Sequence, residues 1–206
     1  MHTEAYTYSR NTLNYPLPNF DTANSLDKKI LETGPLKGDV AIPGGKFKLG
    51  STPNDHFLFD NEKWAHELMV YPFQMSRAAV TNEEFSHFVS DQGYHRRHLW
   101  HDVGWSWRQQ AGAEHPVYWM PDGSNKWLMR HYSKTIELPL YQPVIHVNWY
   151  EASAFCKWAN RRLPSEAEWE VAASTKPIKN GCEFSTEKRL YPWGDNPDTL
   201  NYANLD

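Results

Sequence analysis

Apolar residues fall into short periodic runs along this chain, separated by polar stretches rich in Pro and Gly. Thr81-Asn82-Glu83-Glu84 has the form of a capping box, with Thr81 as N-cap and Glu84 at N3. Phe85, Phe88 and Val89 follow on one helical face, and Gly93 is the expected stop. Asn148 and Glu151 repeat the device, and the helix predicted after them turns Ala152, Phe155, Cys156 and Ala159 to one side. Ser165 and Glu168 make a third box, opening a helix through Trp169 and Ala172 with Trp169 expected to face the core. At the start of the chain, Ala5, Tyr8, Thr12 and Tyr15 recur at helical spacing until Pro16 and Pro18.

The strand signals are shorter. Residues 39–50 predict two strands about Pro43-Gly44-Gly45, residues 68–75 another, and residues 143–147 a short apolar one. Residues 16–38 hold Pro, Asn, Asp and Gly without a period and read as a linker, with a boundary near residue 38. Residues 94–142 carry Trp100, Trp105, Trp107, Trp119 and Trp127 with little periodicity, which predicts a long irregular segment with short strands. Residues 191–206 read as loop. No internal repeat is visible.

Composition narrows the function classes. Among 206 residues there are 21 basic and 25 acidic side chains, a net charge of -4, which argues against a nucleic-acid partner. No run of 18 apolar residues marks a membrane span, and Met1-His2-Thr3-Glu4 lacks the plan of a signal peptide. Two Cys make no disulfide framework, so the expected location is the cytoplasm. The 10 Trp, 11 Tyr and 9 Phe stand out in a chain that is only 40% hydrophobic. They fit either an aromatic core under a loop-rich surface or an aromatic-lined pocket.

Candidate chemistry is sparse on the residues alone. Cys156 falls on a predicted buried helix face, and Cys182 has Glu183 beside it, which does not favour a thiolate. His95, His98 and His101 recur every three residues, but Arg96 and Arg97 between them oppose a bound cation; a solvated basic patch is the plainer reading. His2 and Glu4 carry little weight by themselves.

Longer motifs carry a resemblance. FLFDNEKWAHEL (57–68), VTNEEF (80–85), GWSW (104–107), HPVYW (115–119), the run 143–173 with RLPSEAEWE at 162–170, YPWG (191–194) and NYANLD (201–206) come in this order. The series resembles the formylglycine-generating-enzyme-like, or sulfatase-modifying-factor, domain over about residues 39–206. FDNEKWAH and PVIHVNWYEA look most like the branch found in iron-dependent sulfoxide synthases of ergothioneine and ovothiol biosynthesis.

The resemblance implies an α+β fold: C-type-lectin-like, loop-rich, preceded by a remnant helix of a DinB-like bundle. The implied domains are 1–15 for that helix, 16–38 for the linker and 39–206 for the incomplete main domain. In that family an H-x-x-x-H-x-E helix motif and one further His hold a non-haem iron. His2-Thr3-Glu4 matches the end of the motif, so His2 is implied as an Fe(II) ligand and Glu4 as its hydrogen-bonding partner. Trp105 and Trp107 are candidates for an aromatic cage around a trimethylammonium head. Asn204 and Leu205 resemble the start of a calcium loop, implying Ca2+. The implied partners are O2, a thiol (cysteine or γ-glutamylcysteine) and the imidazole of histidine or its trimethyl betaine. The chain then reads as a fragment of a longer enzyme. Rival readings are a formylglycine-generating oxidase acting on a sulfatase cysteine, and a lectin-like binding module without catalysis.

Overall fold

A computed structural model describes residues 2–17, 36–53, 58–124, 126–177, 184–196 and 202. In chain order its elements are α1 (His2–Thr12), β1 (Asp39–Ile42), β2 (Gly45–Leu49), β3 (His66–Val70), β4 (Phe73–Ser76), α2 (Asn82–Ser90), α3 (Asp102–Ala111), β5 (Trp119–Pro121), β6 (Trp127–His131), β7 (Lys134–Glu137), α4 (Trp149–Trp158), α5 (Glu166–Ser174), β8 (Thr175–Pro177) and β9 (Phe184–Lys188). Helix and sheet are mixed, and every pairing between named strands is antiparallel. The chain divides into two compact units, one of residues 1–36 and 78–163, the other of 37–77 and 164–206.

The first unit is built on aromatic packing. Phe85 and Phe88 of α2 are almost wholly buried and meet edge to face, with ring centroids 5.3 Å apart. Phe155 of α4 stacks on Phe85 at 5.3 Å, and Trp119 of β5 closes on the same ring. Large flat side chains therefore supply the apolar area that a chain this polar lacks in aliphatic residues. Both helices are fastened by the predicted boxes. The Glu84 amide donates to Thr81 Oγ1 at 3.2 Å and the Thr81 amide to Glu84 Oε2 at 2.8 Å. The Glu151 amide donates to Asn148 Oδ1 at 3.0 Å and the Asn148 amide to Glu151 Oε2 at 2.7 Å. Such a cap is worth about 1 kcal/mol, enough to set where a short helix begins.

Several expectations fail here for identifiable reasons. Helix α2 ends at Ser90, and the left-handed residue after it is Gln92 (φ 60°), not Gly93. Gly93 is required for space: a Cβ there would overlap the Phe88 ring. The irregular reading of 94–142 missed α3, a helix whose one buried residue is Gly104. Gly104 lets α3 approach Tyr150 of α4 so closely that an added Cβ would lie 2.8 Å from that side chain. A helix that packs through a glycine leaves no apolar stripe to read. Residues 143–147 form no strand beyond a single bridge between Thr81 and Pro143, and His146 sits at φ 60°. On α4 the buried residues are Glu151, Ser153, Ala154 and Phe155, while Cys156 is half-buried and Ala152 and Ala159 only partly covered. Helix α1 stops at Thr12, closed by left-handed Asn14 (φ 59°), before either proline.

In the second unit β1 pairs with β4 and β2 with β3, so the strands around Pro43-Gly44-Gly45 both exist but pair elsewhere. The strand expected over 68–75 is two, broken at Tyr71-Pro72, where proline can give no ladder bond. Phe47, Val70 and Val171 form the core, with Ala167 packed against it. Ser165 and Glu168 close their box as predicted. Trp169 is 63% exposed, contrary to expectation. Ala167 and Val171 are one turn apart and share the inner face, which turns Trp169, two residues from each, to the other side. Glu170 accepts the Gly50 amide at 3.2 Å and pairs with Lys188 of β9. Strands β8 and β9 form an antiparallel pair that periodicity did not reveal.

Candidate functional site

Helix α1 is held by polar contacts. Most of its aromatic side chains face solvent, Tyr6 at 73% and Tyr8 at 52% exposure. Asn11 is buried, and its Oδ1 accepts the Tyr132 amide at 2.6 Å. Tyr132 stands at the β6–β7 turn in a left-handed conformation (φ 54°). Thr12 Oγ1 hydrogen-bonds the Tyr118 hydroxyl at 2.8 Å.

Between α1, the β6–β7 hairpin and the turn at 145–146 lies an open cleft of about 390 Å³. Glu4, Tyr8 and Asn11 line its helical side, and Arg130, His131 and His146 the other. Met129 of β6, between these residues and the aromatic core, is itself buried in that core. The Arg130 guanidinium lies 4.4 Å from the centroid of the Tyr118 ring, and His146 meets the same ring edge-on at 4.8 Å. Partial burial holds the His146 imidazole below its ordinary pKa, helped by the charges of Arg130 and His131. At neutral pH it is a neutral donor and acceptor.

His146 also lines a second cleft, of about 410 Å³, together with Trp107, Glu114, His115 and Glu151. Glu151 is 4% exposed and accepts the Tyr94 hydroxyl at 2.6 Å in addition to the Asn148 amide. Burial pushes the Glu151 carboxyl up, against hydrogen bonds that pull it down. Burial, then the Glu151 charge, raises the Tyr94 phenol well above its usual range.

The residues singled out from the sequence are not all in one place. Glu4 lines the first cleft and Trp107 the second. Trp107 stacks on Trp100 at 6.4 Å. Trp105 lines neither cleft; the guanidinium groups of Arg97 and Arg108 lie 5.7 and 5.5 Å from its ring centroid. His2 opens α1, but its side chain lies outside the described residues, as do Asn204, Leu205 and Cys182. His95 sits beside Arg108 at 3.1 Å and 4.0 Å from Glu114. Among the described residues no three His, Cys, Asp or Glu side chains are placed to hold a metal ion. No described helix is long and apolar enough to cross a membrane. Sequence reasoning missed Arg130, His131 and His146, whose neighbourhood arises from strand register and a left-handed turn. Only the closeness of His146 to the Asn148 cap hinted at it.

Comparison with known proteins decides the family. The profile of the sulfatase-modifying factor enzyme 1-like domain matches residues 27–205. The chain belongs to this family. A hercynine oxygenase of Mycolicibacterium thermoresistibile is 39% identical over 152 residues, 74% of this chain and 32% of that protein. A hercynine oxygenase of Mycolicibacterium smegmatis is 38% identical over 168 residues, covering 81% and 37%. The formylglycine-generating enzyme of Bos taurus is 33% identical over 182 residues, covering 81% and 45%. The chain thus spans about a third of the length of the hercynine oxygenases it matches.

Proposed function

We propose that this chain is part of a cytoplasmic Fe(II)- and O2-dependent oxygenase that joins a thiol to the imidazole C2 of histidine or its trimethyl betaine. The observation that carries the reading is the likeness to hercynine oxygenases, 38–39% identical over 71–81% of the chain. The chemistry balances. The C2–H and S–H bonds break, a C–S bond forms and sulfur becomes a sulfoxide. Those four electrons reduce O2, one oxygen going to sulfur and the other to water.

In this reading residues 1–15 end a DinB-like helical domain, 16–38 link, and 39–206 belong to a C-type-lectin-like main domain. His2 is an iron ligand and Glu4 orients it, with further imidazoles supplied from outside this chain. Imidazole donors suit Fe(II). The described residues alone do not complete the donor set. Bound iron would bring thiolate, imidazole and O2 together, which supplies proximity. Trp107 offers an aromatic wall to a trimethylammonium group, with Glu114 and Glu151 in the same cleft. Trp105 is the second wall candidate once its arginines are displaced. Asn204 and Leu205 are proposed to begin a Ca2+ loop.

The test is mass spectrometry under 18O2 on the natural polypeptide containing this chain, given Fe(II), thiol and imidazole. A sulfoxide carrying one 18O supports the reading. Formylglycine on a sulfatase-type cysteine peptide, with no sulfoxide, would put the chain with the formylglycine-generating enzymes instead. In the active enzyme, Trp107→Leu is expected to raise KM for the betaine about fivefold and spare histidine, the size of one cation–π contact. Equal KM changes for both substrates would remove Trp107 from the cage.

A further inference from the structure

A line of oxidisable rings runs from the second cleft into the aromatic core. Trp107 lines the cleft, Trp100 stacks on it at 6.4 Å, and Tyr94 meets Trp100 at 5.4 Å. Trp100 and Tyr94 are buried, so the line leaves solvent at its first step. Indole and phenol give up one electron far more readily than a phenylalanine ring, and rings this close exchange it by tunnelling. A core that needed only apolar area would be served as well by phenylalanine.

The inner end is fitted to receive a proton. The Tyr94 hydroxyl donates to Glu151 Oε1 at 2.6 Å, away from water. A phenol that has lost an electron is a strong acid, and a carboxylate already holding its hydrogen bond takes the proton without movement of any heavy atom. Trp100 is fitted the other way. Its Nε1–H donates to the Gly93 carbonyl at 2.9 Å, and an amide oxygen is too weak a base to remove the indole proton. An electron vacancy on Trp100 therefore keeps its charge and its oxidising strength, and passes on. Trp105, on the same helix as Trp107, is shielded. Arg97 and Arg108 hold guanidinium charges 5.7 and 5.5 Å from its ring centroid, which disfavours a further positive charge there.

We propose that Trp107, Trp100 and Tyr94 form a relay that draws one-electron oxidising equivalents out of the second cleft and holds them on Tyr94. The electrons balance. A one-electron oxidant in the cleft is reduced, and Trp107 becomes a radical cation. Trp107 takes an electron from Trp100, and Trp100 takes one from Tyr94. The Tyr94 O–H bond breaks, its proton passes to Glu151, and a neutral phenoxyl radical is left facing a neutral carboxylic acid. A one-electron reductant in the cleft, such as a thiolate, reverses the sequence: the electron returns through the indoles and the proton returns from Glu151. Protection of an O2-using site by this relay rests on the oxygenase reading; the relay itself does not.

The test is flash photolysis of the full chain carrying a ruthenium(II) polypyridyl complex, attached through Ala111→Cys in a Cys156→Ala, Cys182→Ser background. Ala111 is exposed and lines the second cleft. Hexaammineruthenium(III) quenches the excited complex and leaves a one-electron oxidant at the cleft. Transient absorption and freeze-quench electron paramagnetic resonance then follow the radicals. A tryptophanyl signal is expected first and a tyrosyl signal after it. Tyr94→Phe is expected to abolish the tyrosyl signal and leave the radical on tryptophan. Glu151→Gln keeps the packing and the hydrogen bond but accepts no proton, so the same loss is expected from a variant that folds as the parent does. Trp100→Phe is expected to stop the sequence at a tryptophanyl radical.

A tyrosyl radical that survives Tyr94→Phe would overturn the proposal. So would a tyrosyl yield unchanged by Glu151→Gln, the outcome of a purely structural hydrogen bond, or a parent protein that forms tryptophanyl radicals alone. A tyrosyl radical on Tyr94 in a protein that never forms sulfoxide would keep the relay and remove the oxygenase reading. Sulfoxide formation by a protein whose flash gives no tyrosyl radical would do the reverse.

Discussion

Removing one oxygen atom, by Tyr94→Phe, tests how the first unit tolerates a buried carboxylate. The Tyr94 hydroxyl donates to Glu151 Oε1 at 2.6 Å, and the Asn148 amide serves Oε2 at 2.7 Å. Tyr94 is 1% and Glu151 4% exposed, so water does not replace the lost donor. The Phe ring keeps its packing against Phe88 (5.6 Å) and Trp100 (5.4 Å), so no cavity contributes. What remains is a buried carboxylate oxygen without its partner, a loss of about 1–3 kcal/mol. In a chain of this size that lowers Tm by about 2–4 °C per kcal/mol.

Glu151→Gln gives the contrast. By turning its amide, glutamine accepts from Asn148 N–H and donates to the Tyr94 oxygen, and it buries no charge. Its stability at neutral pH is therefore expected within about 1 kcal/mol of the parent. The pH dependence has a definite sign. Burial raises the Glu151 carboxyl pKa in the folded state. Between the ordinary carboxylate value and the raised one, the folded chain holds a proton that the unfolded chain has lost. Stability from this group therefore falls as pH rises through that window, and Glu151→Gln flattens the slope there. Urea unfolding followed by near-ultraviolet dichroism from pH 4 to 8 reads both effects. A Tyr94→Phe protein within about 0.5 kcal/mol of the parent, or Glu151→Gln as costly as Tyr94→Phe at neutral pH, would refute the orphaned-oxygen account.

Two further outcomes follow from the packing. Gly93→Ala drives a methyl group into the Phe88 ring and is expected to cost about 1–3 kcal/mol by thermal melting; an unchanged Tm would show that the turn relaxes freely. In a Cys182→Ser background, Cys156 is expected to alkylate about tenfold more slowly than glutathione at pH 7.5, because burial raises its thiol pKa against a smaller pull from Arg161. A rate equal to glutathione would place the thiol in solvent.

Features whose physics is local were legible in the amino-acid sequence. Thr81 with Glu84, Asn148 with Glu151 and Ser165 with Glu168 each close a box within three residues, so residue identity at that spacing determined three helix starts. The family, too, was legible, because motifs such as RLPSEAEWE keep their order in the chain.

Features that depend on distant partners were not. Gly104 hid α3, because its packing against Tyr150 gives no apolar signal. Nothing near β1 says that it pairs with β4, past β2 and β3, which pair with each other. Trp169 reads as core by size, yet the inner face of its helix belongs to Ala167 and Val171. The first cleft is the fullest case. Glu4 and Arg130 are 126 positions apart and His146 is reached through a left-handed turn, so their neighbourhood is set by Asn11 and Thr12 anchoring α1 to Tyr132 and Tyr118. Capping is a contact between near neighbours and is written in order along the chain. A cleft is a contact among residues brought together by folding, and only the tertiary structure could decide it.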